Sequence, residues 1–192
     1  MSTTCLTLEG DTWRNARMSR LGKQIAEVLA ALDRIDARYA LIGGLALASH
    51  KVIRATRDID LLTDSHASDA VNDALLSLGY RCAHRSKDAA TYLRHDERID
   101  LLYASHPAAR RLLDGAPTLQ TSFGALRVVS PEGLIGFKLQ GFVNDPRRTQ
   151  DMEDIRALLR ANRDKLDLNE VREYFCLFGR EATLEELLNE FE

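Results

Sequence analysis

A chain of 192 residues, 45% apolar and 29% charged, has room for one domain with a substantial core, and its composition is that of an ordinary globular protein. No long uncharged apolar run and no amino-terminal signal pattern is present, which argues against a membrane span and makes the cytoplasm the expected location. The net charge of -3 is uneven: residues 164–192 carry nine acids and three bases, leaving 23 bases against 20 acids before them. A body this weakly positive is compatible with a phosphate-rich substrate but does not argue for nucleic acid. Cys5, Cys82 and Cys176 are odd in number and far apart, so they suggest neither a disulfide framework nor a zinc knuckle. They are expected to be reduced, mostly buried thiols.

In chain order, Leu21, Ile25, Val28, Leu29, Leu32 and Ile35 recur at helical spacing and predict an amphipathic helix from Trp13 to about Asp36. A short strand over Tyr39–Ile42 then runs into Gly43-Gly44, followed by a turn or two of helix to His50. Ile59 and Leu61 alternate with Asp58 and Asp60, which predicts a strand with apolar residues on one face and acids on the other. A helix over Ala67–Leu78 ends at Gly79, and strands follow near Tyr80–Ala83, Thr91–His95 and Arg98–Tyr103. In the last of these, Asp100 alternates with Ile99 and Leu101, repeating the arrangement at Asp58 and Asp60. The remainder predicts a helix near His106–Leu113, a strand around Ala125–Val129, and a helix opened by Ser130-Pro131 and broken at Asp145-Pro146. Helices at about Gln150–Asn162, Asn169–Phe178 and Ala182–Phe191 complete the chain. The expected class is therefore α/β (α+β): a small mixed, twisted sheet flanked by helices, with a helical carboxyl-terminal region.

Two acids at i and i+2 of one strand, joined by a third from a neighbouring strand, crowd negative charge into a few ångströms. At ~4 Å and an effective dielectric of about 20, each like-charged pair costs roughly 4 kcal/mol, a cost that a hard divalent cation reverses. Asp58, Asp60 and Asp100 are thus candidate ligands for Mg2+, in the form of two ions that align a triphosphate and neutralise the leaving pyrophosphate. Gly43 and Gly44, having no side chains, would let backbone N–H groups approach the phosphates, with the next helix N-terminus adding partial positive charge.

The run GGLALASHKVIRATRDIDLL, followed by RIDLLYA, resembles the signature of the nucleotidyltransferase superfamily with the DNA polymerase beta-like fold. Within it, the Arg-x-Thr-x-Asp-Ile-Asp form and the run SPEGLIGFKLQGFVNDPRRTQDMEDI resemble the branch that includes the AbiEii-type toxins of toxin–antitoxin systems. The resemblance covers roughly residues 38–160, and it divides the chain into a nucleotidyltransferase domain over 1–162 and an acidic helical extension over 163–192. It implies that Lys138 contacts the triphosphate and that Asp151 is a catalytic or supporting acid. That family usually has Lys or Arg directly before this acid, whereas this chain has Gln150, with Arg147 and Arg148 slightly earlier. The implied reaction is transfer of a nucleoside monophosphate from an NTP such as ATP to an RNA end (tRNA included) or a protein side chain, with a cognate antitoxin as partner. Asp58 and Asp60 would bridge the metals, Asp100 would bind one and help deprotonate the acceptor, and Lys138 would hold the β- and γ-phosphates.

Other readings stand beside these. Arg54 and Arg57 flank Thr56 just before the acid strand, where they either neutralise phosphate, the role expected of Arg57, or pair with surface acids. Asp154 is read as a helix-start acid favoured by the macrodipole. The five histidines show no metal-ligand spacing, and no serine lies in a nucleophile elbow. The stripe of Leu184, Leu187, Leu188 and Phe191 is expected to pack on the chain's own helices. Two rivals remain: an antibiotic-modifying nucleotidyltransferase with a small-molecule acceptor, and a non-catalytic binding protein of the same fold.

Overall fold

A computed structural model describes residues 19–190. Ser19 opens α1 (Arg20–Arg34) by accepting a hydrogen bond from the Gly22 N–H at 3.0 Å. Ile25, Val28, Leu29 and Leu32 are buried at three- and four-residue intervals, so this stripe lies on the core. The expected helix start at Trp13 lies outside the described residues.

Five strands, β1 (Tyr39–Leu41), β2 (Ile59–Thr63), β3 (Arg81–Arg85), β4 (Ala89–Arg94) and β5 (Glu97–Tyr103), form one sheet in the order β1-β2-β5-β4-β3. The β2–β5 pair is parallel and the other three are antiparallel, giving a mixed sheet. Ile59, Leu61, Ile99 and Leu101 are buried in the core, which by the two-residue period leaves Asp60 and Asp100 on the opposite face. Between β1 and β2 lies α2 (Gly43–Ser49), and a 3-10 turn (Ser65–Ala67) and α3 (Ser68–Ser77) follow β2.

After α4 (Pro107–Gly115), β6 (Thr118–Thr121) and β7 (Gly124–Arg127) form a two-stranded hairpin. The sequence pattern predicts a single strand in this region, because Leu119 is the lone apolar residue of β6 and no side chain of that strand is fully buried. The Val129 N–H donates to the Leu41 carbonyl at 3.0 Å, tying the chain after the hairpin to β1.

Ser130 caps α5 (Pro131–Asn144), accepting from the Gly133 N–H at 3.1 Å, and the helix stops at Asp145-Pro146. The chain ends in α6 (Thr149–Asn162), α7 (Leu168–Leu177) and α8 (Glu181–Asn189). Val171, Phe175, Leu184 and Leu187 are buried in the same cluster as Ile59, Leu61 and Leu139, so the acidic terminal helices share the core of the rest. Phe191 of the leucine stripe lies outside the described residues. Cys82 and Cys176 are exposed, contrary to the expectation of burial. The first sits on β3, an edge strand whose five residues are all exposed, and on α7 the burial is carried by Val171 and Phe175 instead. Among the described residues no helix is long and apolar enough to cross a membrane.

Candidate active site

Asp60 and Asp100 are register partners on the adjacent parallel strands β2 and β5, so their carboxylates share one face of the sheet. Asp58 stands in a bend just before β2, one position outside the strand that the alternation predicts. All three line one cavity of about 760 Å³, together with Gly43, Gly44 and Lys138. Burial and, next, the Asp100 carboxylate push the Asp60 carboxyl up to about 6, against the opposing pull of the Gly44 N–H and Lys138.

The paired glycines serve this acid directly. Gly43 has φ +62°, and a Cβ there would stand 2.1 Å from Asp60 Oδ2, so both the backbone conformation and the space require glycine. A Cβ on Gly44 would meet the Thr56 side chain at 2.8 Å, and the Gly44 N–H bonds the Asp60 carboxylate. The two residues are therefore the first of α2 and a backing for Asp60, and both line the cavity. α2 itself has only seven residues, so the helix contributes little dipole.

Lys138, from α5, is fixed in the cavity wall by two acids of α6. Its Nζ lies 2.9 Å from Asp151 Oδ1, to which it donates a hydrogen bond, and 2.8 Å from Asp154 Oδ2 as an ion contact without hydrogen-bond geometry. Arg148 Nε donates to the other Asp151 oxygen at 2.6 Å. Gln150 Nε2 donates to Asp154 Oδ1 at 3.1 Å, and Arg54 Nε stands 3.6 Å from the same oxygen. Asp151 and Asp154 are 3% and 1% exposed. Asp154, read from the sequence as a helix-start acid, is thus a buried counter-ion of Lys138. Asp151 does not line the cavity; it reaches the site through Lys138 and Arg148.

Asp100 has partners of its own. Arg98 donates from Nε to Oδ2 at 2.6 Å and from Nη2 to Oδ1 at 3.1 Å, and the Thr91 hydroxyl donates to Oδ1 at 2.7 Å. Arg98 is a site residue that the sequence pattern alone does not single out, although its position two residues before Asp100 puts both on one face of β5. Ala90, Leu102, Leu134 and Phe137 give the wall an apolar part, and the exposed Arg57 lines it as well.

The three carboxylates offer the oxygen-only donor set that a hard divalent ion takes, and the raised Asp60 carboxyl marks buried negative charge that a cation would relieve. As they stand, no three acid, histidine or cysteine side chains of the described residues form a ligand group. Asp100 spends both oxygens on Arg98 and Thr91. The residue types fit a divalent ion once Arg98 releases an Asp100 oxygen.

Among families, the model for aminoglycoside-2''-adenylyltransferase matches residues 24–117, just under half of the chain. That stretch holds the glycine pair and all three floor aspartates but stops before Lys138. Among solved structures, the antibiotic-resistance factor ANT(2'')-Ia superposes with a TM-score of 0.66 at 20% identity, over 88% of this chain and 97% of that one. The chain carries the nucleotidyltransferase fold. The same factor in complex with adenylyl-2''-tobramycin gives a TM-score of 0.64 at 19% identity, over 85% of this chain and 99% of that one. A nucleotidyltransferase-like protein from Paracoccidioides brasiliensis gives 0.54 at 19% identity, over 90% and 94%. No curated protein sequence matches the chain.

Proposed function

We propose that this nucleotidyltransferase-fold chain moves a nucleoside monophosphate from an NTP to a hydroxyl of a small acceptor molecule. One observation carries the reading: Asp60 and Asp100 stand in register on the cavity floor while Lys138 is anchored in the wall. The acceptor oxygen bonds to the α-phosphorus, the bond from that phosphorus to the bridging oxygen breaks, and pyrophosphate leaves. Asp58, Asp60 and Asp100 would hold Mg2+, which when bound supplies charge neutralisation to the triphosphate and its leaving group. Lys138 holds phosphate oxygens from a fixed position, since two buried carboxylates restrain its ammonium. Arg148, on the same wall, adds a second cation, and Asp151 positions both. Gly43 and Gly44 keep side chains away from the nucleotide side of the floor. Asp100, the more accessible of the register pair, takes the acceptor proton.

The aminoglycoside-2''-adenylyltransferase match and the likeness to an antibiotic-resistance factor favour a small-molecule acceptor. They lend nothing to the RNA or protein acceptor, the toxin role or the antitoxin partner that the AbiEii resemblance implies. The test is incubation with Mg2+ and each α-labelled NTP in the presence of small hydroxyl acceptors, beside Asp58→Ala and Asp60→Ala controls. Labelled acceptor that disappears in the controls supports the reading; label transfer undiminished in either control overturns it.

A further inference from the structure

The charges around the cavity mouth bear on which acceptor the site takes, an inference that rests on the transfer reaction above. Among the described residues, the carboxylates that line the cavity and the adjoining hollow already have a role or a partner. Asp58, Asp60 and Asp100 form the floor, while Asp151 and Asp154 are buried behind Lys138 and Arg148. In the adjoining hollow, Asp96 pairs with Arg20, and Glu97 is held by Arg94 Nε at 2.7 Å.

The arginines of the 52–57 loop are in the opposite condition. Arg57 is exposed, lines both the main cavity and the adjoining hollow, and forms no ion pair with any described residue. Arg54 reaches over the glycine pair, with Nη2 3.3 Å from the position of a Cβ on Gly44, and its one acid lies 3.6 Å away. The network of floor, wall and loop holds Arg54, Arg57, Arg98, Lys138 and Arg148 against Asp58, Asp60, Asp100, Asp151 and Asp154, a balance of zero. Two divalent ions and a fully ionised NTP also cancel each other, so a loaded site holds no negative surplus. A polycation such as tobramycin would have to set its ammonium groups against arginines, with no unpaired carboxylate outside the floor among the described lining residues.

We propose that the acceptor is an anionic hydroxyl compound, carrying a phosphate or carboxylate near the reacting hydroxyl, and that Arg57, assisted by Arg54, binds that group. A planar guanidinium with free donors suits bidentate recognition of either anion. This moves Arg57 from the nucleotide, where the sequence alone places it, to the acceptor. A phosphate beside a hydroxyl is found in phosphorylated metabolites and at RNA ends, and the experiment separates these sources.

Full-length protein with Mg2+ and α-labelled ATP is offered, in separate reactions, tobramycin, a deproteinised small-molecule extract fractionated by charge, and total RNA. Nucleotide affinity is measured independently by calorimetry with a non-hydrolysable ATP analogue. Label confined to RNA overturns the small acceptor proposed above and this proposal with it, whereas label in the anionic small-molecule fraction supports the proposal. In that reaction, Arg57→Gln raises the acceptor KM at least tenfold and leaves affinity for the analogue within twofold of wild type. Preferential labelling of tobramycin or of a cationic fraction overturns the proposal. So does an Arg57→Gln effect that falls on the nucleotide instead, or an absence of label in every arm. A protein that fails to bind the analogue at all removes the transferase reading itself, a different result from binding followed by the wrong acceptor preference.

Discussion

The floor and the wall of the cavity handle buried charge in opposite ways. In the wall, Lys138, Asp151, Arg148 and Asp154 neutralise one another within 3 Å contacts, and little is left for a ligand to complete. On the floor, Asp60 is pressed between burial and Asp100 until its carboxyl rises to about 6, with a backbone N–H and a distant lysine in partial compensation. A paired network fixes geometry, whereas a group of like charges stores unfavourable energy that a bound proton or cation relieves. On the proposed reading the site divides its labour accordingly, with rigidity in the helices and affinity in the sheet.

The contrast breaks most sharply at Asp60. Replacing it with Asn should lower nucleotidyl transfer by at least about 10³-fold, while making the metal-free protein more stable by about 1–3 kcal/mol at pH 7. The folded-state carboxyl, at about 6, lies above the ordinary 3.8, so the folded chain binds the extra proton between those values. The Asp60 contribution to stability is therefore whole below pH 4 and is lost as pH rises through 6. Denaturation curves of wild type and variant should converge at pH 4 and separate at pH 7, and parallel curves would remove the stored-energy account of the floor.

In the wall the sign reverses. Asp151→Asn leaves Lys138 and Arg148 without their shared acid and should cost about 3 kcal/mol, read from denaturant midpoints. A stability gain there would mean that the wall, too, is strained. Gly43→Ala tests how closely the backbone backs the floor. The positive φ alone costs about 1–2 kcal/mol, and the displaced Asp60 should lower transfer roughly tenfold or more. The smallest effect is expected for Arg98→Ala, which frees both Asp100 oxygens from the guanidinium. Mn2+ affinity, followed by electron paramagnetic resonance of the free ion, should rise by about threefold to tenfold; weakened binding would show that Arg98 aids the metal site.

Much of the sheet is legible directly, because a period of two is a local signal. Asp58, Asp60 and Asp100 announce a shared face by alternating with Ile59, Leu61, Ile99 and Leu101. Ser130-Pro131 and Asp145-Pro146 likewise bound α5 with local chemistry. The wall is harder to read. That Asp151 and Asp154 share a helix face follows from their spacing, but that a lysine of the preceding helix meets them depends on how α5 and α6 pack. The β6 strand escapes because Thr118–Thr121 has a single apolar residue and pairs only with its hairpin partner. Arg98 is legible by the same alternation as Asp100, yet it does not stand out, because arginines on exposed strands are ordinary.

The parallel register of β2 and β5 has a consequence for how the protein comes into being. Asp60 and Asp100 are 40 positions apart in the chain, and the sheet places α3, β3 and β4 between their strands in sequence but nothing between them in space. A slip of one residue would turn Asp100 to the core face, so the two acids meet only when the long-range pairing is complete and correct. During synthesis the amino-terminal half already carries Asp58 and Asp60 but has no partner strand to complete the floor. The floor is therefore complete only when β5 is in place, and on the proposed reading competence to act waits further for α5 and α6, which bring Lys138, Arg148 and their acids to the wall.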